Sequence, residues 1–178
     1  MTATVLTPVP GMCPATGEPA ETLAHLLLMD VVERIAANPS HWEGLVGDGS
    51  KTSWRPVSVR EDVDVWEVTW PTFATTRLHS HDEVSTAFRT IRGVLTEIRP
   101  DDRGRLIPSK YEPGLTGLIR PGEIHDLRNE LAGPAVTGHA YPRGLRSMTY
   151  YDWAGGSITE SSRVTARNCA GAHNWPGA

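Results

Sequence analysis

The chain has 178 residues, of which 39% are hydrophobic and 21% charged, a composition typical of one globular domain. Its formal net charge of −4 gives no electrostatic basis for a nucleic-acid partner. The 17 glycines and 14 prolines favour many turns and a mainly β structure over a helix bundle.

The sequence has no feature that predicts a membrane partner or export. No apolar run approaches the roughly 20 residues needed to span a bilayer, and no basic start precedes an apolar core like that of a signal peptide. We therefore expect a cytoplasmic protein. Cys13 and Cys169 are expected to be free thiols, although an oxidising compartment would allow them to bridge the two ends of the chain.

The N-terminal part differs from the rest of the chain. Residues 1–18 are rich in Pro, Thr and Gly without any period, which predicts a flexible arm. Within residues 19–50, apolar residues recur at spacings of three and four, which predicts an amphipathic helix from Pro19 to about Asn38. The Asn38-Pro39 step ends it. We expect this helix to pack on the body of the domain.

Residues 51–153 alternate between apolar and polar side chains in short runs, which predicts strands. Pro-Gly, Arg-Gly and Asp-rich turns separate the runs, so we expect a sandwich or small barrel. Residues 154–178 lose this alternation and are interpreted as an irregular tail. The predicted strands are 57–59, 63–70, 75–79, 84–91, 94–99, 105–111, 115–119, 123–130, 135–141 and 146–152.

Three histidine-containing elements stand out within these strands. His79 and His81 are two residues apart, so a strand directs both imidazoles to the same face. His125 follows the turn Pro121-Gly122 and begins another strand-like run. The third element, Thr137-Gly138-His139-Ala140-Tyr141, places Thr137, His139 and Tyr141 on one face by the same alternation.

The first two elements resemble the two motifs of the cupins, H-x-H and P-G-x-x-H-x-x-x-N. That resemblance implies a small β-barrel or jelly-roll in which His79, His81 and His125 hold a divalent metal. Cupins usually add a Glu as a fourth ligand. Glu83 comes only two residues after His81, and Glu97 lies beyond the next turn, so we predict three histidine ligands alone.

The third element looks like the S-x-H-x-Y element of the cysteine dioxygenase family, and the order of motifs from about Trp54 to Tyr151 is similar to that of its bacterial members. The resemblance implies an Fe(II) enzyme that uses O2 to oxidise a small thiol to a sulfinic acid. Tyr141 would orient the substrate and oxygen, His139 would hold the Tyr141 hydroxyl, and Thr137 would fix the His139 ring. Three neutral imidazoles leave the iron with its +2 charge, which a thiolate compensates.

The chain departs from that family after the second histidine. Many relatives read H-D-H-G-G-S where this chain has Asp82 and Glu83 in place of the two glycines. These acids are either a solvated loop corner or a sign that the substrate carries a positive group, as in a betaine thiol such as ergothioneine. Thr86 occupies the position of a Cys that mammalian members cross-link to the Tyr. The loop after Tyr141 also differs.

The family requires an Arg for the substrate carboxylate, because a guanidinium pairs with a carboxylate bidentately. Arg55 is our candidate, with Arg60, Arg77 and Arg143 as alternatives.

The leading hypothesis is a monomeric thiol dioxygenase, with cysteine as the substrate that the family implies. The alternative is a non-oxidative metal-binding cupin, either an isomerase or a ligand-binding or sensor module, because a fold does not fix a function. A third hypothesis is a metal-free barrel whose histidines hydrogen-bond one another.

Overall fold

The computed structural model describes residues 4–5, 25–42, 52–59, 63–142 and 145–165. These residues form mainly strands, with one α-helix and one 3-10 turn that lie between β1 and β2 in the chain. The elements are β1 (Thr4–Val5), α1 (His25–Ala36), η1 (Pro39–His41), β2 (Ser53–Val59), β3 (Val63–Trp70), β4 (Ala74–Thr75), β5 (His79–Ser80), β6 (Thr86–Arg92), β7 (Leu95–Pro100), β8 (Leu106–Tyr111), β9 (Thr116–Ile119), β10 (Asp126–Arg128), β11 (Ala135–Pro142), β12 (Ser147–Ala154) and β13 (Ser157–Thr165).

The strands form three sheets that do not close into a barrel within the described ranges. One five-stranded sheet has the order β1-β4-β10-β7-β8 and the other β2-β3-β11-β6-β9, while β13-β12-β5 form a smaller third sheet. A single pair of residues, His79 and His125, joins the smaller sheet to the start of β10. The prediction of a mainly β domain with an N-terminal helix is therefore confirmed, without barrel closure.

Helix α1 covers the outer face of the sheet that contains β3 and β11. Leu28 and Val32 are fully buried there against Val65 and Ala140. Gly138 allows close approach on this face, because a Cβ at that position would lie 3.1 Å from Cη2 of Trp42. The amphipathic helix packs on the domain as predicted, and the part of the prediction that precedes His25 lies outside the described residues.

The opposite face of the same sheet meets the other five-stranded sheet in the main core. Its largest fully buried side chains are Trp70 and Phe88 on one sheet and Leu95 and Leu127 on the other. The inward residues of β11 share this face with Trp70 and Phe88. Side chains on alternate positions of β11 therefore divide between the helix and the interior.

The prediction of an irregular chain after Trp153 is wrong for residues 157–165, which form β13 and pair with β12. Most of β13 is exposed on both faces, so its sequence lacks the period-two pattern of a half-buried strand. The signal that the sequence did contain is Gly155-Gly156, since both residues have positive φ in the two-residue turn of this hairpin.

Other sequence predictions fall largely outside the described residues. They concern most of the flexible arm and the residues Cys13, Cys169, Arg60 and Arg143. Within the arm, Thr4–Val5 form β1 and pair in parallel with β4. Among the helices of the part that the structure describes, none combines the length and the hydrophobicity required to cross a membrane.

Truncating the helix face that packs on the sheet should destabilise the domain. Leu28 has no exposed surface, whereas its neighbour Leu27 is 39% exposed. We expect Leu28→Ala to lower the free energy of unfolding by about 2–5 kcal/mol, because the cavity is only partly refilled, and Leu27→Ala to lower it by no more than about 0.5 kcal/mol. Urea denaturation of both variants measures the difference. Equal effects would contradict this packing.

Candidate metal centre

Three buried histidines meet where two of the sheets come together. His79 in β5 and His125 just before β10 exchange backbone hydrogen bonds, with N–O distances of 2.8 and 2.9 Å. His81 lies two residues beyond His79, as the H-x-H pattern predicts. The ring centroids of the three are 4.5–5.3 Å apart, and one nitrogen of each lies within 4.8 Å of the others. The structure thus brings the predicted ligands together.

Each of these rings is anchored through Nδ1. His79 Nδ1 lies 2.9 Å from the carbonyl of Arg77, and His125 Nδ1 lies 3.1 Å from Oε1 of Glu97. The carbonyl and the carboxylate can only accept, so Nδ1 of His79 and of His125 carries the proton. Nε2 of each of these two rings therefore has a lone pair instead of a proton. His81 Nδ1 lies 2.6 Å from Oγ1 of Thr86. Partners that fix the tautomer and tilt in this way are usual around metal-ligating histidines.

The Nε2 atoms of the three rings face one another. His79 Nε2 and His81 Nε2 are 3.1 Å apart, within hydrogen-bond distance, and His125 Nε2 is buried without a hydrogen bond. Burial lowers the pKa of all three rings, so they are neutral near pH 7. Two nitrogens bound at right angles to a metal at about 2.1 Å would be about 3 Å apart. The donor set therefore fits a divalent cation.

A second row of hydrogen-bonded side chains runs along β11. Trp70 Nε1 donates to Oγ1 of Thr137 at 2.8 Å, Thr137 Oγ1 lies 2.8 Å from Nε2 of His139, and His139 Nδ1 lies 3.2 Å from the Tyr141 hydroxyl. Burial lowers the pKa of His139 to about 3 and raises that of Tyr141. The structure places Thr137, His139 and Tyr141 on one face, as the alternation predicts, and His139 lies outside the three-histidine cluster.

The two rows border one cavity of about 40 Å³. That volume has room for on the order of three water-sized molecules. Among the described residues, no charged side chain lines the cavity. The lining residues are Trp54, Thr76, His79, His81, Thr86, Ile119, His125, Leu127, His139, Tyr141, Leu145, Met148 and Tyr150.

Arg55 does not reach this cavity, which corrects its predicted role as the carboxylate-binding residue. Its strand neighbour Trp54 lines the cavity, so Arg55 points to the opposite face of the sheet. There its Nη2 donates to Oε2 of Glu67 at 3.0 Å and to the carbonyl of His41 at 2.6 Å. Arg77 also lies outside the lining, and it forms a 3.4 Å ion pair with Asp152.

Asp82 and Glu83 also lie outside the cavity, contrary to their predicted role in substrate binding. Strand β5 ends at Ser80, and Asp82 has a φ of 45°, so Glu83 is not carried onto the face of the two histidines. Asp82 accepts a hydrogen bond from Ser80 Oγ at 3.0 Å and lies 3.1 Å from Nη2 of Arg163. Glu83 is exposed, which matches the interpretation of a solvated loop corner.

The structure also reveals two residues whose contribution the sequence did not predict. Glu97 is 1% exposed and, besides His125, accepts hydrogen bonds from Arg99 Nη2 at 2.9 Å and Tyr111 at 3.0 Å. It supports a ligand rather than acting as a fourth one. Thr86 anchors His81 through its hydroxyl. The sequence comparison had noted this position only because a cysteine of mammalian relatives is absent there.

No protein-family model matches the chain, and no curated protein matches it. Among solved structures, it is similar to a conserved protein with a double-stranded beta-helix domain from Klebsiella pneumoniae (13% identity, 68% of this chain and 94% of that chain, TM-score 0.49). It is also similar to a cupin-2 domain protein from Shewanella frigidimarina (14%, 62% and 98%, 0.47) and to a recombinant oxalate oxidase in complex with glycolate (17%, 59% and 59%, 0.48).

Similarities of this size assign neither a family nor a function. The strands themselves confirm the predicted mainly β fold. The described residues form a β domain with a buried set of three histidines that could hold a metal ion. None of these similarities singles out the cysteine dioxygenase family.

Neutralising Glu97 should weaken metal binding, because an amide accepts the His125 N–H less strongly than a carboxylate does. We expect Glu97→Gln to lower the affinity for Co(II) or Zn(II) by about 10–100-fold. Glu123→Gln is the matched control, since Glu123 also pairs with Arg99 at 2.9 Å but contacts none of the three histidines. Competition with a chromophoric chelator measures both affinities. An unchanged affinity in Glu97→Gln would contradict the proposed anchoring of His125.

The buried His139 should make the metal-free protein sensitive to acid. Its pKa is about 3 when folded and about 6.5 when unfolded, so below pH 6.5 protons bind preferentially to the unfolded chain. His139 should therefore cost about 2 kcal/mol of stability between pH 7 and pH 5. We expect His139→Gln to flatten the pH dependence of the unfolding free energy by that amount in urea titrations. An identical slope in both proteins would show that His139 is not buried as a neutral ring.

Proposed function

We propose that this protein is an Fe(II)-dependent thiol dioxygenase that catalyses R–SH + O2 → R–SO2H. Both oxygen atoms enter the product. Sulfur loses the four electrons that O2 gains, so no external reductant is required. The proton released when the thiolate forms is the one that the sulfinic acid carries, and at neutral pH it stays in solution and the product is the sulfinate.

The observation that carries this proposal is the pairing of the three-histidine cluster with the hydrogen-bonded row that ends at Tyr141, both of which line one cavity. A site of three neutral imidazoles leaves the full charge of a divalent ion uncompensated, and a thiolate supplies that compensation. When bound, Fe(II) supplies the means to bring the thiolate and O2 together and to exchange electrons between them.

The row along β11 fixes the position of the Tyr141 hydroxyl. Trp70 Nε1 donates to Oγ1 of Thr137, which also lies 2.8 Å from Nε2 of His139. Nδ1 of His139 lies 3.2 Å from the Tyr141 oxygen, so a hydrogen bond joins the ring and the hydroxyl. Burial raises the pKa of Tyr141, so the phenol stays protonated.

The rest of the chain controls orientation and solvent. Glu97, Thr86 and the carbonyl of Arg77 hold the three imidazoles in one arrangement before any ligand arrives. Apolar residues such as Leu127 and Leu145 keep water away from the reacting atoms. The case for ergothioneine loses its basis in Asp82 and Glu83, since neither lines the cavity, and cysteine is the substrate implied by resemblance alone.

Oxygen consumption by the iron-loaded protein tests this function. We expect thiol-dependent O2 uptake at one O2 per thiol, with both atoms of 18O2 found in the sulfinate by mass spectrometry. Tyr141→Phe should lower kcat by about 10–100-fold, because it removes the hydroxyl at the cavity but not the ring. Tyr151→Phe is the control, since its hydroxyl lies 3.2 Å from Ser80 Oγ and does not line the cavity.

Two results would count against the proposal. Stoichiometric iron with no O2 uptake from any of several thiols would favour the non-oxidative cupin instead. An equal loss of kcat in Tyr141→Phe and Tyr151→Phe would contradict the role assigned to the Tyr141 hydroxyl.

A further inference from the structure

We propose that the thiol oxidised here has a short, uncharged and apolar body, such as a simple alkyl thiol, rather than an amino acid or a betaine; this inference rests on the proposed thiol oxidation. It comes from what surrounds the space next to the three histidines. Three independent features of that space lead to the same class of substrate.

The first feature is the apolar wall. Ile119 and Leu127 are almost completely buried, and both belong to the main core of the domain. Leu145 and Met148 form another part of the lining and pack with Tyr141. An apolar body that binds there is removed from water in proportion to its area, which is favourable. The small volume of about 40 Å³ suits a body of a few carbon atoms.

The second feature is that both threonine hydroxyls in the lining are already bonded to the protein. Thr86 Oγ1 lies 2.6 Å from His81 Nδ1. Thr76 Oγ1 donates to Oδ1 of Asp126 at 3.0 Å and accepts from the backbone N–H of Leu127 at 2.9 Å. A substrate carboxylate or ammonium would have to displace these bonds to bind either threonine.

The third feature is that nearby charges are paired outside the cavity. Arg77 lies over the Tyr150 ring at 5.8 Å from its centroid and forms an ion pair with Asp152. Asp82 forms an ion pair with Arg163. A charged group that entered the cavity would leave water without gaining a counter-ion from these pairs, and such a transfer is costly. An uncharged body avoids that cost.

Anaerobic binding to the Co(II)-loaded protein tests the inference without turnover. The probes are propane-1-thiol, 3-mercaptopropionate, 2-aminoethanethiol and thiocholine, and the readout is the absorption band of a thiolate bound to cobalt. The Kd of each thiol is corrected to its thiolate fraction at the working pH. We expect propane-1-thiol to bind at least about ten-fold more tightly than each charged thiol. The charged group of the other thiols loses its hydration on entering the cavity, which costs free energy.

A charged thiol that binds as tightly as propane-1-thiol would overturn the inference while leaving the proposed function intact. Tight binding of thiocholine would show that the aromatic residues recognise a quaternary ammonium. Tight binding of 3-mercaptopropionate that is lost in Arg77→Met would show that Arg77 receives the carboxylate. If none of the thiols produced the band in cobalt-loaded protein, the proposed thiol oxidation itself would be wrong.

A change of one wall residue supplies the reciprocal test. Met148 is only partly buried, so a lysine there can reach solvent while placing a cation near the lining. Met148→Lys should bring the Kd of 3-mercaptopropionate below that of propane-1-thiol. Met148→Leu keeps the wall apolar and should retain the wild-type order of affinities. Circular dichroism checks that Met148→Lys is folded. If the folded variant binds the thiols in the same order of affinity as wild type, recognition by this wall is contradicted.

Discussion

The buried hydrogen bond between His125 and Glu97 is the contact on which the candidate site depends most. A carboxylate with 1% of its surface exposed is costly unless its oxygens are bonded. Here Arg99 and Tyr111 provide the remaining bonds, and Arg99 also donates to the carbonyl of Leu118 at 2.6 Å. The network therefore joins β7, β8 and β9 to His125 just before β10, so the direction of one imidazole depends on residues from three strands.

The same network contributes a wall of the cavity as well as a ligand. Ile119 follows Leu118 in β9, and Leu127 lies two residues beyond His125. Because these strands cannot move independently of Glu97, the apolar wall and the His125 ring keep their separation. A site whose parts are held before ligand binding loses less free energy to ordering when a ligand arrives.

Much of this arrangement could be predicted from local sequence pattern. Alternation predicts that His79 and His81 share a face and that Thr137, His139 and Tyr141 do the same, since side chains two apart on a strand point in one direction. The helix and most strands were predicted for similar reasons. Strand β13 was missed because its side chains are exposed on both faces, so no alternation marks it.

The surroundings of the cavity could not be predicted, because they depend on where strands end and which face a residue takes in the sheet. A continued β5 would have placed Glu83 beside the histidines, but the positive φ of Asp82 turns the chain first. Arg55 follows Trp54, which lines the cavity. Because side chains alternate along a strand, Arg55 points to the opposite face of the sheet. The end of one strand and the side of the sheet that one residue takes thus decided these assignments.

The role of Asp82 changes accordingly from recognition to assembly. Its carboxylate accepts a hydrogen bond from Ser80 on one side and forms an ion pair with Arg163 on the other, and Arg163 donates to Ser147 Oγ at 3.0 Å. These contacts join the turn after His81 to both strands of the β12–β13 hairpin, which supplies Met148 and Tyr150 to the cavity. An acid that was expected to attract a charged substrate instead helps to hold in place the wall that favours an uncharged one.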